Sequence, residues 1–156
     1  MKSPGKAFEL DFVNSIPESC YHYRLRDTFS SWQGGECSRF TVSNVCDFIV
    51  YTKGCLYMLE LKSHKGKSLP LSCIRPNQIE GLLQAHYKNI RAGLVVNLRD
   101  IEKTFYVPIN EIKDYMGKYP AKKSIPLDYL EEKGELIESK KKVTRYSYNL
   151  KKFLEG

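Results

Sequence analysis

The chain has no CxxC pair, no internal repeat, no low-complexity tract and no Pro/Gly/Ser stretch long enough to separate domains. Its five cysteines (Cys20, Cys37, Cys46, Cys55, Cys73) are odd in number and scattered, which argues against a disulfide framework and a zinc module. Reduced, mostly buried thiols are expected. His22, His64 and His86 lack zinc-ligand spacing, and there is no Walker loop, Rossmann glycine fingerprint, or nucleophilic Ser or Cys beside a paired base. No apolar run approaches the roughly 18 residues of a membrane span, and no apolar signal segment follows MKSPGK. The expectation is a soluble, cytoplasmic protein with no membrane partner.

What is present is ordinary for one folded unit: 156 residues, 42% hydrophobic and 28% charged. That length suits a single domain, 1–156, able to bury about two thirds of its extended surface. The formal charge of +7 favours polyanionic partners such as nucleic acid or an anionic membrane surface.

Ser3-Pro4 opens a helical run that ends before Pro17, with Ala7, Phe8, Leu10, Phe12, Val13 and Ile16 apolar. Cys20 to Leu25 has strand composition, and Asp27 to Arg39 is a polar, Gly-containing loop. Val45 to Tyr51 and Cys55 to Leu61 are two strands about Thr52-Lys53-Gly54, and Ser63 to Ser68 is a flexible basic loop. Pro76 occupies a first-turn position, with a helix over Asn77 to Lys88. Strands follow at Gly93 to Leu98 and Thr104 to Val107, and helical segments at 108–116, 126–133 and 149–154. This mixed order predicts an α/β fold with a central mixed β-sheet flanked by helices.

The stretch YMLELKS, 57–63, sets Glu60 and Lys62 in an otherwise buried strand. Desolvating a charge costs several kcal/mol unless it is paired or ligated. If Lys53 and Gly54 form a two-residue hairpin loop, Tyr51 faces Leu56, Val50 faces Tyr57, Ile49 faces Met58, Phe48 faces Leu59, and Asp47 falls opposite Glu60. Two carboxylates on one face at roughly 5 Å repel, and a divalent cation reverses the sign. Mg²⁺ takes oxygen ligands, commonly one or two carboxylates with water and phosphate oxygens completing the shell. Lys62 points to the same face as Glu60. The alternative is an edge-strand salt bridge between Glu60 and Lys62, with Asp47 a strand-entry residue.

Asp47 followed by Glu60-Leu61-Lys62 resembles the D…(D/E)xK signature of the PD-(D/E)xK (restriction-endonuclease-like) nuclease superfamily. Within it, Val45 to Gly81 resembles the RecU family of Holliday-junction resolvases. The likeness lies in the Asp-led strand, the Lys-Gly turn, the ExK strand, the Lys-rich loop, Leu69-Pro70-Leu71 and a helix opening with Gln78. The first helix, with Glu9, is similar to the acidic first helix of such resolvases. Departures are a shorter chain, Cys46 where a Thr is expected, and a reduced stalk-like loop around 28–44.

The resemblance implies a metal-dependent endodeoxyribonuclease that resolves four-way junctions by paired nicks in recombination and repair, acting as a homodimer. Asp47, Glu60 and the Leu61 carbonyl would hold Mg²⁺, for which Mn²⁺ can substitute. Lys62 would face the attacking water and phosphate rather than pair with Glu60. Gln78 would position water or phosphate, or stand as an exposed helix-entry residue. Glu9 would reach the metal through water, or face solvent. For the DNA backbone the candidates are His64, Lys65 and Lys67, then Arg39, then Lys140, Lys141, Lys142 and Arg145. Trp32 is placed either against a base or over a core edge. Two other readings stay open: the same fold acting on another DNA substrate, and a non-catalytic DNA-binding module.

Overall fold

The computed structural model describes residues 3–26 and 44–156. The polar loop, the reduced stalk, Cys37, Trp32 and Arg39 therefore lie largely or wholly outside the described residues. Five helices are described, α1 (Pro4–Asn14), α2 (Pro76–Gln84), α3 (Ile109–Lys118), α4 (Leu127–Lys133) and α5 (Leu150–Glu155). The longer strands are β1 (Tyr21–Arg24), β2 (Phe48–Thr52), β3 (Cys55–His64), β5 (Ile90–Leu98) and β6 (Lys103–Pro108). Shorter ones are β4 (Ser68–Pro70), β7 (Ser124–Pro126), β8 (Glu135–Leu136), β9 (Ser139–Lys141) and β10 (Tyr146–Tyr148).

The main sheet has six strands in the order β1-β2-β3-β5-β6-β8. Only β3 and β5 run parallel, joined through α2, and the other neighbours are antiparallel. The sheet is mixed and flanked by helices, as expected. On one face Phe48, Val50, Tyr57, Leu59 and Leu61 pack against Phe8 and Phe12 of α1 and Phe153 and Leu154 of α5. On the other, Leu94, Val96, Leu98 and Val107 meet Leu82 of α2, Ile112 of α3 and Leu130 of α4. Cover on both faces is why β5 is a nearly unbroken apolar run.

Lys53 and Gly54 both have positive φ, 48° and 75°, the pair a type I′ hairpin turn requires. The observed register matches the expected one from Thr52↔Cys55 to Phe48↔Leu59. Several boundaries differ. β2 begins at Phe48 rather than Val45, and α2 ends at Gln84, four residues before Lys88. Nor does the basic loop run from Ser63 to Ser68. β3 continues through His64, and a short turn with Gly66 at φ 113° leads directly into β4. The strands β8, β9 and β10 had no sequence signal, because EL, SKK and YSY are too short for a period of two to register.

Candidate active site

β2 stops pairing with β3 one residue before Asp47 would meet Glu60. The Asp47 N–H donates to the carbonyl of Leu59 at 3.0 Å, and Phe48 already faces that residue. Asp47 and Phe48 thus share one partner, the two-against-one arrangement of a β-bulge. The expected direct opposition of Asp47 and Glu60 is replaced by this offset. Its physical cause is visible in the bonding: the Asp47 carboxylate turns along β3 and its Oδ2 accepts from the Leu61 N–H at 2.7 Å. The Asp47 carbonyl accepts from Leu25 N–H at 2.8 Å, which fixes the residue from the β1 side as well.

The bulge still brings the two acids together. Glu60 is 4% exposed, and its ordinary carboxylate pKa is pushed up to about 7, first by burial and then by the neighbouring Asp47 charge. Burial likewise raises Asp47, against the lowering effect of the Leu61 N–H and Lys62. Cys46 is buried at the same point, its thiol raised to about 12 by burial and by both carboxylates. It therefore stays protonated and serves as packing rather than as a nucleophile.

Two groups compensate Glu60. Lys62 Nζ lies 2.8 Å from Oε1, and Gln78 Nε2 donates to the same oxygen at 2.6 Å. Lys62 is thus Glu60's ion-pair partner in this structure, a correction to the expectation that it faces water and phosphate rather than pairing with Glu60. With its side chain 16% exposed, it also borders solvent. Gln78 is 1% exposed, so the exposed helix-entry reading is overturned. Its Oε1 accepts from Arg75 N–H at 3.2 Å, and the amide is held at both ends. Pro76 starts α2 at the position that puts Gln78 in the first turn, facing β3.

Gly81 seats this helix. A Cβ at Gly81 would lie 2.1 Å from Cγ1 of Val45, so α2 approaches the segment leading into Asp47 as closely as a glycine permits. One contact therefore registers the two chain segments that supply Gln78 and Asp47.

Glu9, on α1, faces the same cluster rather than open solvent. It forms an ion pair with Arg24 of β1, and its pKa is raised by burial and by the charge of Asp47, with Arg24 opposing both. Arg24 was not among the expected site residues. A lone strand arginine carries no sequence signal, since its partner is fifteen residues away and meets it only through tertiary packing.

The outlying basic residues divide. Lys65 and Lys67 are exposed on the turn that follows β3, and His64 closes that strand. Lys140 and Lys142 are exposed on and beside β9, but Lys141 is engaged by Glu102 at 3.2 Å. Arg145 is tied through Nε to Asp11 of α1 at 2.6 Å. Asp11 also accepts from Tyr146 N–H at 3.1 Å, and Ser15 Oγ accepts from Tyr148 N–H at 3.0 Å. Arg145 thus anchors the β9–β10 hairpin to α1.

Among the described residues, no group of three or more His, Cys, Asp or Glu is arranged to hold a metal by itself. The donor set is smaller: two carboxylates, each of raised proton affinity and each raised first by burial, and a main-chain oxygen. In an extended strand one residue's N–H and C=O point to the same edge, so the Leu61 carbonyl faces the Asp47 side along with its N–H. Hard oxygen donors with open positions suit Mg²⁺, which keeps several waters or phosphate oxygens.

The family model for RecU, Recombination protein U, matches residues 30–151. The SPbeta prophage-derived uncharacterized protein YotM of Bacillus subtilis (strain 168) is 33% identical over 166 aligned positions, covering 95% of this chain and 83% of that protein. Archaeoglobus fulgidus Hjc, a Holliday junction resolvase from an archaeal hyperthermophile, superposes with a TM-score of 0.50 at 15% identity, over 84% of this chain and 91% of that one. At that identity the likeness concerns the fold, a PD-(D/E)xK nuclease fold. The family match runs through the hairpin, the ExK strand and the helix that together position Asp47, Glu60, Lys62 and Gln78, and the chain belongs to the RecU family.

Proposed function

We propose that the protein is a magnesium-dependent endonuclease that resolves four-way DNA junctions by paired nicks. The observation that carries this reading is the convergence of half-buried Asp47 and buried Glu60, both of raised proton affinity, with Lys62 and Gln78 on one Glu60 oxygen. Family membership and the resolvase-like fold support the substrate class.

Asp47, Glu60 and the Leu61 carbonyl would hold the metal, which supplies Lewis-acid stabilisation of charge on the scissile phosphate. Lys62 presents an ammonium at the solvent border of the site, where it orients a water and offsets charge developing on the phosphate. Gln78, clamped between Arg75 N–H and Glu60, keeps the Glu60 carboxylate in one orientation. Glu9 supplies a further acceptor at the rim, adjusted by Arg24. His64, Lys65, Lys67, Lys140 and Lys142 grip the DNA backbone outside the site. A four-way junction has approximate two-fold symmetry, so paired nicks call for two sites, and a C₂ homodimer is part of the proposal.

The test is cleavage of labelled four-way junction, linear duplex and single strand, each in Mg²⁺ or EDTA, alongside Asp47→Asn. Symmetric nicks confined to the junction, dependent on Mg²⁺ and absent in Asp47→Asn, are expected. Equal cutting of linear duplex removes junction selectivity. Tight binding without metal-dependent cleavage removes the enzyme, and normal cleavage by Asp47→Asn removes the site.

A further inference from the structure

Three tyrosines meet where the C-terminal end of α3 packs near α4. The ring of Tyr115 lies 5.0 Å from that of Tyr119 and 4.7 Å from that of Tyr129, inclined by 47° and 58°. With Lys122, Asp128 and Glu132 they line a cavity of about 270 Å³. The cavity shares no residue with the cluster of Asp47, Glu60, Lys62 and Gln78.

Two of the three hydroxyls are already engaged. Tyr115 donates to the Ser124 carbonyl at 2.8 Å and Tyr129 to the Glu111 carbonyl at 2.7 Å. What these two side chains offer the cavity is ring surface, whose face is electron-rich. Asp128 and Glu132, four apart on α4, share a face, and Lys122 is the one cation against them in the lining. The surroundings are negative enough to act on a phenol: Tyr129 is pushed up to about 12, first by burial and then by Glu111, with Asp114 and Glu132 adding to it. Rings and carboxylates attract the same thing, a cation. One already rests on the outermost ring, where Lys118 Nζ lies 5.5 Å from the centre of Tyr119.

We infer that this cavity receives an arginine side chain from a partner protein. Sites for whole small molecules run to roughly 300–1,000 Å³, so the volume suits one long side chain. A guanidinium lies flat on an aromatic face while its fork reaches a carboxylate, which a compact ammonium does less well. A second copy of this chain does not supply the group. Residues 109–133, which build both helices and their connection, contain lysines but no arginine, and a two-fold contact over this surface would present that same segment. The negative cavity also stands out on a chain of net charge +7, which repels basic partners everywhere that carboxylates do not collect.

The experiment titrates the full-length protein, its tyrosine rings labelled with ¹³C, without DNA or metal. The probes are acetyl-Gly-Arg-Gly-amide and the same peptide with lysine or with citrulline, the neutral isostere of arginine. Ring signals are assigned through Tyr115→Phe, Tyr119→Phe and Tyr129→Phe. The arginine peptide should move the signals of all three rings, with lysine weaker by about 3-fold and citrulline by about 10-fold or more. Asp128→Asn/Glu132→Gln should weaken arginine binding by about 10-fold and Tyr119→Leu by about 3-fold, whereas Lys122→Gln should strengthen it by about 2-fold. Unmoved rings, a citrulline peptide that binds as well as arginine, or wild-type affinity in Asp128→Asn/Glu132→Gln overturns the inference. Sedimentation of wild type and that double variant should give the same oligomeric state; dissociation of the variant makes a second copy the occupant and overturns the partner. No cleavage enters these measurements, so they stand or fall separately from the nuclease reading.

Discussion

Asp11 and Glu60 are both buried carboxylates, and the fold treats them in opposite ways. Asp11 receives the Arg145 guanidinium on one oxygen and a backbone N–H on the other. Glu60 receives Lys62 and Gln78 on a single oxygen while Asp47 stands close enough to raise its proton affinity. The first is fully satisfied in charge and hydrogen bonds, and it fixes the β9–β10 hairpin to α1. The second is left with an excess of negative charge that only a proton or a cation relieves. A carboxylate that merely holds a fold together is given its partners in full, whereas the one proposed to bind a metal is under-compensated.

Several substitutions sharpen or break that contrast. The largest effect is expected at the acidic pair itself: Asp47→Asn or Glu60→Gln should lower single-turnover junction cleavage by at least about 10²-fold. Glu60→Gln should also be more stable than wild type at pH 8 without metal, by roughly 1–3 kcal/mol, since it deletes a buried charge that the native state tolerates poorly. Urea unfolding in EDTA checks the second half. A Glu60→Gln protein that is less stable than wild type there would remove the distinction between the two sites.

Asp11→Ala should do the reverse. Losing the partner of Arg145 and of the Tyr146 N–H is expected to cost about 2–4 kcal/mol, read as a lowered urea midpoint. Single-turnover cleavage by the molecules still folded should change little.

Gly81→Ala should cost about 1–3 kcal/mol by overpacking against Val45. Because that contact registers α2 on the Asp47 segment, cleavage should fall beyond what the stability loss explains, which single-turnover rates at a temperature well below the melt will show.

The last effect is in pH. Glu60 titrates at about 7 in the fold against an ordinary 4.5, so the native state binds more protons than the unfolded chain between those values. Its contribution to stability is full below about pH 4.5 and is lost as pH rises through about 7. Metal-free protein should therefore lose stability from pH 5 to pH 8 at this site. Millimolar Mg²⁺ should restore it at pH 8 and have little effect at pH 5, where protonated Glu60 binds no cation. Unfolding curves at the two pH values with and without Mg²⁺ give the four numbers needed.

Much of this site was legible from local signals. Lys53-Gly54 prescribes a two-residue turn, the turn prescribes the register, and the register brings Asp47 within reach of Glu60. Pro76 likewise announces the helix start that delivers Gln78. The bulge was not legible, because nothing in VCDF distinguishes a residue that continues the ladder from one that leaves it to cap the Leu61 N–H. Arg24, Asp11 and Arg145 were also beyond local reading. Each acts through a partner 15 or 134 residues distant, and sequence periodicity carries no information on such pairings. The end of α2 at Gln84 was missed for a simpler reason: QAHYK contains neither glycine nor proline to mark a stop.

The tie between α1 and the β9–β10 hairpin has a consequence for how the protein comes into being. Asp11 leaves the ribosome 134 residues ahead of the Arg145 that holds it, and Tyr146 and Tyr148 follow later still. Chains grow from the N-terminus at about 5–20 residues per second, so α1 waits several seconds or longer for its final anchor. The helix that carries Glu9 therefore gains its last ion pair and hydrogen bonds only after Asp47 and Glu60 have been made.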